Sequence, residues 1–151
     1  MPMPHDLNDL TPAFRILAEQ LLAQWRAAHP DDPLIITCTL RTLAEQDAAK
    51  AAGRSQIRQS KHLPQPPDQL SHALDVCPKS ICHGDYSPTS PLWWELGEMA
   101  IGLGLRWGGR WDRKSMPTVG KIPPYFYDPG HFELIAEKTP AQETPGGPPT
   151  T

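Results

Sequence analysis

Apolar residues recur at helical spacing over residues 11–29, which predicts an amphipathic helix with one face in the core. Thr11 can cap this helix, and Pro12 suits its first turn. Five apolar residues should face the core: Phe14, Leu17, Leu21, Leu22 and Trp25. Residues 92–103 carry a similar pattern and predict a second amphipathic helix.

Three short segments have the character of strands. Residues 34–40 (LIITCTL) should form a buried strand, and residues 73–76 (ALDV) and 131–136 (HFELIA) should form two more. Because these strands are separated by helices and long loops, the pattern predicts an α+β domain.

The segments between the strands differ in character. Thr42 and Glu45 form a capping-box pattern, which predicts a short helix after the first strand. Residues 54–72 are polar and rich in proline and should form a loop. Residues 139–151 are Pro, Gly and Thr with no core-forming residues, so we expect a folded domain over residues 1–138 and a disordered tail beyond it.

Length and charge exclude some functions. A chain of 151 residues predicts one domain, and a net charge of -3 with no block of Lys or Arg argues against nucleic acid or anionic membrane as partner. No apolar run approaches a membrane span, so we expect no stable membrane association. The first residues, MPMPHDLNDL, lack the pattern of a signal peptide, which predicts synthesis in the cytoplasm without export by that route.

The three cysteines suggest no disulfide framework, because their number is odd. Cys77, Cys82, His83 and Asp85 could form a metal site, but their spacing matches no common zinc pattern. Idle or buried thiols are the favoured interpretation.

A stronger candidate for metal chemistry combines residues from the predicted strands and loops. A catalytic zinc site takes three ligands from His, Asp or Glu and needs a nearby carboxylate as general base. His62, Asp75 and His131 could be the ligands, and the tight turn after Asp128 could bring its carboxylate close. Asp128 alone could simply open a turn, and His131 alone could be a core histidine.

Taken together, these residues resemble the VanY-like zinc peptidases, which include D-Ala-D-Ala carboxypeptidases and the L-alanyl-D-glutamate endopeptidases of tailed-phage and prophage endolysins. The motifs that carry the resemblance are Ser60-Lys61-His62, Ser71-His72-Ala73-Leu74-Asp75, Asp128-Pro129-Gly130-His131, Leu40-Arg41-Thr42 with Gly53-Arg54-Ser55, Trp107 to Trp111, and His131 to Leu134. The resemblance implies a small central, mainly antiparallel sheet with flanking helices, as in the hedgehog and D-Ala-D-Ala-peptidase fold.

The resemblance also implies roles. His62, Asp75 and His131 would bind Zn2+, Asp128 would be the general base, and Arg41 would stabilise the oxyanion. Ser60, Ser71 and Trp107 are candidates for substrate contact, although a tryptophan in a small domain is more often part of the core or of the cleft wall.

Two features depart from the family pattern. Residues 63–70 separate His62 from Ser71, and this insertion makes His72 an alternative ligand to His62. On a strand, however, the side chain of His72 should point away from that of Asp75. The stretch 112–127 is also longer than in shorter family members, and both segments should border the cleft.

The expected function is therefore hydrolysis of peptidoglycan stem peptides by a monomeric zinc peptidase, at the L-Ala–D-Glu bond. A phage or prophage endolysin would reach the wall after the membrane is permeabilised. The alternatives are a D,D- or L,D-carboxypeptidase, and a zinc-stabilised binding module of the same fold without catalysis.

Overall fold

The structure is a computed structural model that describes residues 6–51, 60–82 and 87–135. Within these ranges the chain forms three α-helices: α1 (Pro12–Ala28), α2 (Leu43–Ala51) and α3 (Pro91–Gly102). Four strands accompany them: β1 (Leu34–Cys38), β2 (Ala73–Pro78), β3 (Leu105–Trp107) and β4 (His131–Leu134). Short 3-10 helices cover Leu7–Asp9 and Lys79–Ile81.

The strands form one sheet in the order β1-β2-β4-β3, and all three pairings are antiparallel. The predicted α+β class with a small antiparallel sheet is confirmed. β3 was not predicted, because three residues between glycines are too few to show a strand pattern. It pairs with β4 as an edge strand.

The core lies between the sheet and helices α1 and α3. The predicted inner face of α1 is confirmed for Phe14, Leu21 and Trp25, which are fully buried. Ala18 joins them, whereas Leu17 and Leu22 are only half-buried. The other large core residues are Trp93, Trp94, Leu96, Trp107 and Phe132.

The prediction of a buried first strand is wrong. In β1, burial alternates along the strand, and Ile35 is 40% exposed. Alternation of this kind shows that only one face of β1 packs against the core. The fully buried strand pattern belongs to the central β2.

The pairing of the central strands positions the candidate site. Asp75 of β2 lies opposite His131 of β4 on one side and opposite Cys38 of β1 on the other. The register of β1 shifts between Ile36 and Cys38, next to this point. Three chemically active side chains therefore meet across adjacent strands.

Several predictions fall outside the described residues. These concern His83 and Asp85 of the alternative metal site, Gly53, Arg54 and Ser55 of the resemblance, and the tail over residues 139–151. Within the ranges given above, no helix is long and apolar enough to cross a membrane.

Candidate metal and catalytic site

Two of the predicted ligands, His62 and His131, contact the same carboxylate oxygen of the third, Asp75. Oδ1 of Asp75 lies 3.1 Å from Nε2 of His62 and 2.9 Å from Nδ1 of His131. The two imidazole rings meet edge to face, with centroids 5.1 Å apart. His62 therefore reaches Asp75 on β2 despite the loop that separates His62 from Ser71.

Hydrogen bonds orient both imidazoles toward Asp75. His62 is 1% exposed, and its Nδ1 donates to the carbonyl oxygen of Thr39 over 2.7 Å. On the other side, Nε2 of His131 donates to Oε2 of Glu133 over 2.8 Å. Each ring therefore has one nitrogen fixed as a donor, which leaves the other as a lone-pair ligand in the neutral ring.

Each histidine donor atom lies at a metal-ligand separation from Asp75. Nε2 of His62 is buried and is left without a hydrogen-bond partner among the described residues, although Oδ1 of Asp75 lies 3.1 Å away. Donor atoms around a tetrahedral zinc with bonds of about 2.0–2.1 Å lie roughly 3.3 Å apart, close to the two separations at Asp75. Two imidazoles and one carboxylate form a common ligand set for zinc.

Possible ligand atoms form two overlapping clusters within the described ranges. Cys38, His62 and Asp75 form one, and Asp75, Asp128 and His131 form the other; the atoms of each lie within 4.8 Å of one another. Asp75 is common to both, but His62 and His131 belong to different clusters, so the predicted triad can hold one ion only if the two imidazoles move closer together.

The charges of the triad are strongly linked. Burial alone would lower the pKa of His62, but the Asp75 carboxylate outweighs it and raises that pKa to about 9. Burial opposes protonation of His131 too, yet hydrogen bonds to Asp75 and Glu133 raise its pKa well above the usual value. The pKa of Asp75 is lowered, because the two histidines outweigh its burial. Without metal, the site therefore holds protons that a metal ion must displace.

Asp128 lies at the rim of the triad. Its Oδ2 is 3.9 Å from Nδ1 of His131, and its side chain is 36% exposed. Loss of water around it, followed by the charge of Asp75, raises the pKa of Asp128 to about 6. A carboxylate with that pKa is ionised at neutral pH and can still accept a proton, as a general base must.

Gly108 explains how Asp128 is held. The N–H of Asp128 donates to the carbonyl oxygen of Gly108 over 3.0 Å. A Cβ atom at Gly108 would lie 2.2 Å from the carbonyl oxygen of Asp128. Only glycine allows this close approach of the two backbone segments.

Arg41 borders the triad from the segment that follows β1. Its Nη2 lies 3.9 Å from Oδ2 of Asp75 and donates to Sγ of Cys38 over 3.4 Å. Its backbone N–H donates to the carbonyl oxygen of His62 over 2.8 Å. The predicted capping box follows at once, since Thr42 and Glu45 exchange hydrogen bonds of 2.8 and 3.1 Å.

A cavity of about 220 Å³ opens beside the triad. Asp75 and Asp128 contribute to its wall, together with Cys77, Cys82, Trp93 and Gly130. Both carboxylates thus face a space into which a substrate group can enter.

The structure argues against the predicted substrate contacts of Ser60, Ser71 and Trp107, because all three are buried and bonded internally. Oγ of Ser60 accepts from the N–H of His62. Oγ of Ser71 donates to carbonyl oxygens, including that of Ala73 at 2.7 Å. The fully buried Trp107 donates through Nε1 to the carbonyl oxygen of Pro129 over 2.7 Å. These residues support the site from within.

His72 belongs to neither ligand cluster of the described chain. It precedes β2 and pairs through its backbone with Lys61 and Leu134. Cys77 and Cys82 carry free thiols directed at the carbonyl oxygens of Pro78 and Cys77.

Sequence reasoning gave Glu133 no role of its own. Glu133 is 4% exposed and bonds His131 through one oxygen, while its other oxygen accepts from Arg106 over 2.8 Å. Burial raises the pKa of Glu133, but His131 and Arg106 outweigh this and keep it low. Its position two residues after His131 was the available signal, because alternate residues of a strand share a face.

No protein-family model matches this sequence, and no curated protein matches it by sequence. Solved structures do match its fold. One is the crystal structure of the Serratia marcescens L-Ala D-Glu endopeptidase ChiX, with 23% sequence identity and a TM-score of 0.52. The match covers 85% of this chain and 83% of that chain. It shows that the two chains share a fold.

Proposed function

We propose that this protein is a zinc peptidase that hydrolyses the L-Ala–D-Glu bond of peptidoglycan stem peptides. The observation that carries the proposal is the convergence of His62 and His131 on Asp75, with Asp128 and Arg41 at its rim. A shared fold with an L-Ala D-Glu endopeptidase supports it. In this proposal, Nε2 of His62, a carboxylate oxygen of Asp75 and Nδ1 of His131 hold the metal.

Zinc bound by these residues would supply Lewis acidity, which activates water and polarises the scissile carbonyl. Asp128 takes the proton of the attacking water on its carboxylate and later passes it to the leaving amine. Its pKa of about 6 suits both steps, because the group is ionised at neutral pH and holds a proton without excessive cost.

Arg41 stabilises the negative charge that develops on the carbonyl oxygen. A fixed cation at such a position is worth a few kcal/mol, on the order of a hundredfold or more in rate. Its backbone bond to His62 fixes the main chain, and its contacts with Cys38 and Asp75 hold the guanidinium close to the ligands. A binding module without catalysis has no need of this cation or of Asp128.

We place the enzyme in bacterial lysis by a tailed phage or prophage, on the strength of the motif set. Its substrate would then be the host wall, reached once the membrane has been permeabilised. D,D- or L,D-carboxypeptidase activity is the competing outcome.

Mass spectrometry of products from purified peptidoglycan tests the proposal. The zinc-loaded protein should release peptides with a free N-terminal D-Glu. Release of terminal D-Ala alone would assign the carboxypeptidase activity instead, and the absence of any product would refute peptidase function.

A variant pair tests the general base in the same assay. Asp128→Ala should bind zinc normally and lose about 10²–10⁴-fold in rate, the usual contribution of such a base. Asp31→Ala, which removes an exposed carboxylate, is the matched control and should keep full activity. Full activity of Asp128→Ala would disprove the assignment.

A further inference from the structure

The long segment over residues 112–127 joins the candidate site at both of its ends. It starts after Trp111, whose ring lies 5.4 Å from that of His131, centroid to centroid. Trp111 has a φ of 55°, a left-handed conformation that is uncommon for a bulky residue. The segment ends at Asp128, the proposed general base. The two ends of the segment therefore lie beside the proposed ligand His131 and the proposed base.

Specific hydrogen bonds hold this segment in shape. The hydroxyl of Tyr125 donates to the carbonyl oxygen of Gly109 over 2.7 Å. Nε1 of Trp94, on α3, donates to the carbonyl oxygen of Pro117 over 3.0 Å. The second half of the segment is thus anchored to Gly109, and the first half to α3.

The segment forms an open depression of about 650 Å³, lined by residues 112–118 and 121–125. Three cations belong to this lining: Arg113, Lys114 and Lys121. Among the lining residues the single acid is Asp112, and it is engaged by Arg106 at 3.0 Å. The guanidinium of Arg113 sits 3.7 Å above the ring of Tyr125. The wall is therefore cationic, with apolar and aromatic surface between the charges.

We propose that this depression is a substrate subsite that takes a carboxylate-bearing part of the stem peptide. The inference rests on the proposed function, whose substrate carries the carboxylate of D-Glu beside the scissile bond. A cationic wall on an otherwise acidic protein selects an anionic group by charge, and its apolar surface accommodates the adjoining chain.

Peptide binding tests the subsite separately from catalysis. Two stem tripeptides, identical except that the D-Glu carboxylate is free or amidated, are titrated by calorimetry into zinc-loaded Asp128→Ala protein. The free acid should bind more tightly. In the same background, Lys114→Ala with Lys121→Ala should raise its Kd about threefold to tenfold and leave the amide unaffected. Both lysines are exposed, so the fold should tolerate their loss.

Lys79→Ala is the matched control, because Lys79 is an exposed lysine outside the lining of the depression. It should preserve the preference for the free acid. Equal binding of the two peptides, no binding of either, or a preference that survives loss of both lysines would overturn the subsite. Cleavage by the wild-type protein is measured separately. If the acid binds through the lysines and is not cut, the subsite stands and the proposed function fails.

Discussion

At the residue scale, His62 and His72 compete for the same role in the sequence but occupy different places in the structure. His62 is buried against Asp75, whereas His72 is outside both ligand clusters of the described chain. His62→Ala should therefore lose bound zinc, and His72→Ala should keep it. Zinc per protein molecule, measured by elemental mass spectrometry after dialysis, decides between them. Metal loss by the His72 variant alone would reverse the ligand assignment.

Glu133 is predicted to tune the metal through His131. Its carboxylate holds Nε2 of His131, so Nδ1 is presented to the ligand cluster. Glu133→Ala should weaken zinc affinity about 10–100-fold, as loss of such an outer partner does. Glu133→Gln keeps an acceptor oxygen, so its zinc affinity should lie between those of the wild-type protein and of Glu133→Ala. Competition with a chromophoric chelator gives the affinities.

The control for Glu133 is Glu19→Gln, which alters an exposed carboxylate on α1 paired with Arg15. The thermal midpoint of each metal-free variant separates lost folding from lost affinity. Wild-type zinc affinity in a folded Glu133→Ala protein would contradict the predicted role.

At the scale of elements, the Gly108 turn sets the position of the base. Gly108→Ala places a Cβ atom 2.2 Å from the carbonyl oxygen of Asp128 and 3.1 Å from Cβ of His131. The backbone must shift, which should cost about 1–3 kcal/mol of stability and reduce hydrolysis. Gly102→Ala is the matched control, since nothing lies within 4 Å of its added Cβ. Chemical denaturation and rate measurements should show the loss for Gly108→Ala alone.

The elements differ in how far sequence could predict them. α1 and the capping box at Thr42 carry strong local signals, and both are present. The exposure of β1 depends on which of its faces the rest of the protein covers, which is a property of tertiary packing. Likewise, the convergence of His62 and His131 on Asp75 needs contacts between distant segments. The motif set could indicate His62 and His131 as ligands. Only the structure shows which groups bond to their ring nitrogens.

At the scale of the whole molecule, metal and protons compete for the same site. In the metal-free protein the pKa of His62 is raised to about 9, from 6.5 in the unfolded chain. Protonation of His62 therefore stabilises the metal-free fold fully below pH 6.5, and this contribution disappears as the pH rises through 9. His131, whose pKa is also raised, acts in the same direction. Metal binding has the opposite dependence, because it requires the neutral rings.

The stabilisation by zinc should consequently increase with pH. The thermal midpoint of the metal-free protein should fall between pH 6.5 and 9, while that of the zinc-loaded protein should fall less, so that their difference widens. Below the raised pKa values, zinc affinity should rise up to about a hundredfold per pH unit, since up to two protons are displaced. Calorimetric zinc titration in buffers of different ionisation enthalpy counts these protons. Zinc binding without proton release at pH 7 would show that His62 and His131 are not the ligands.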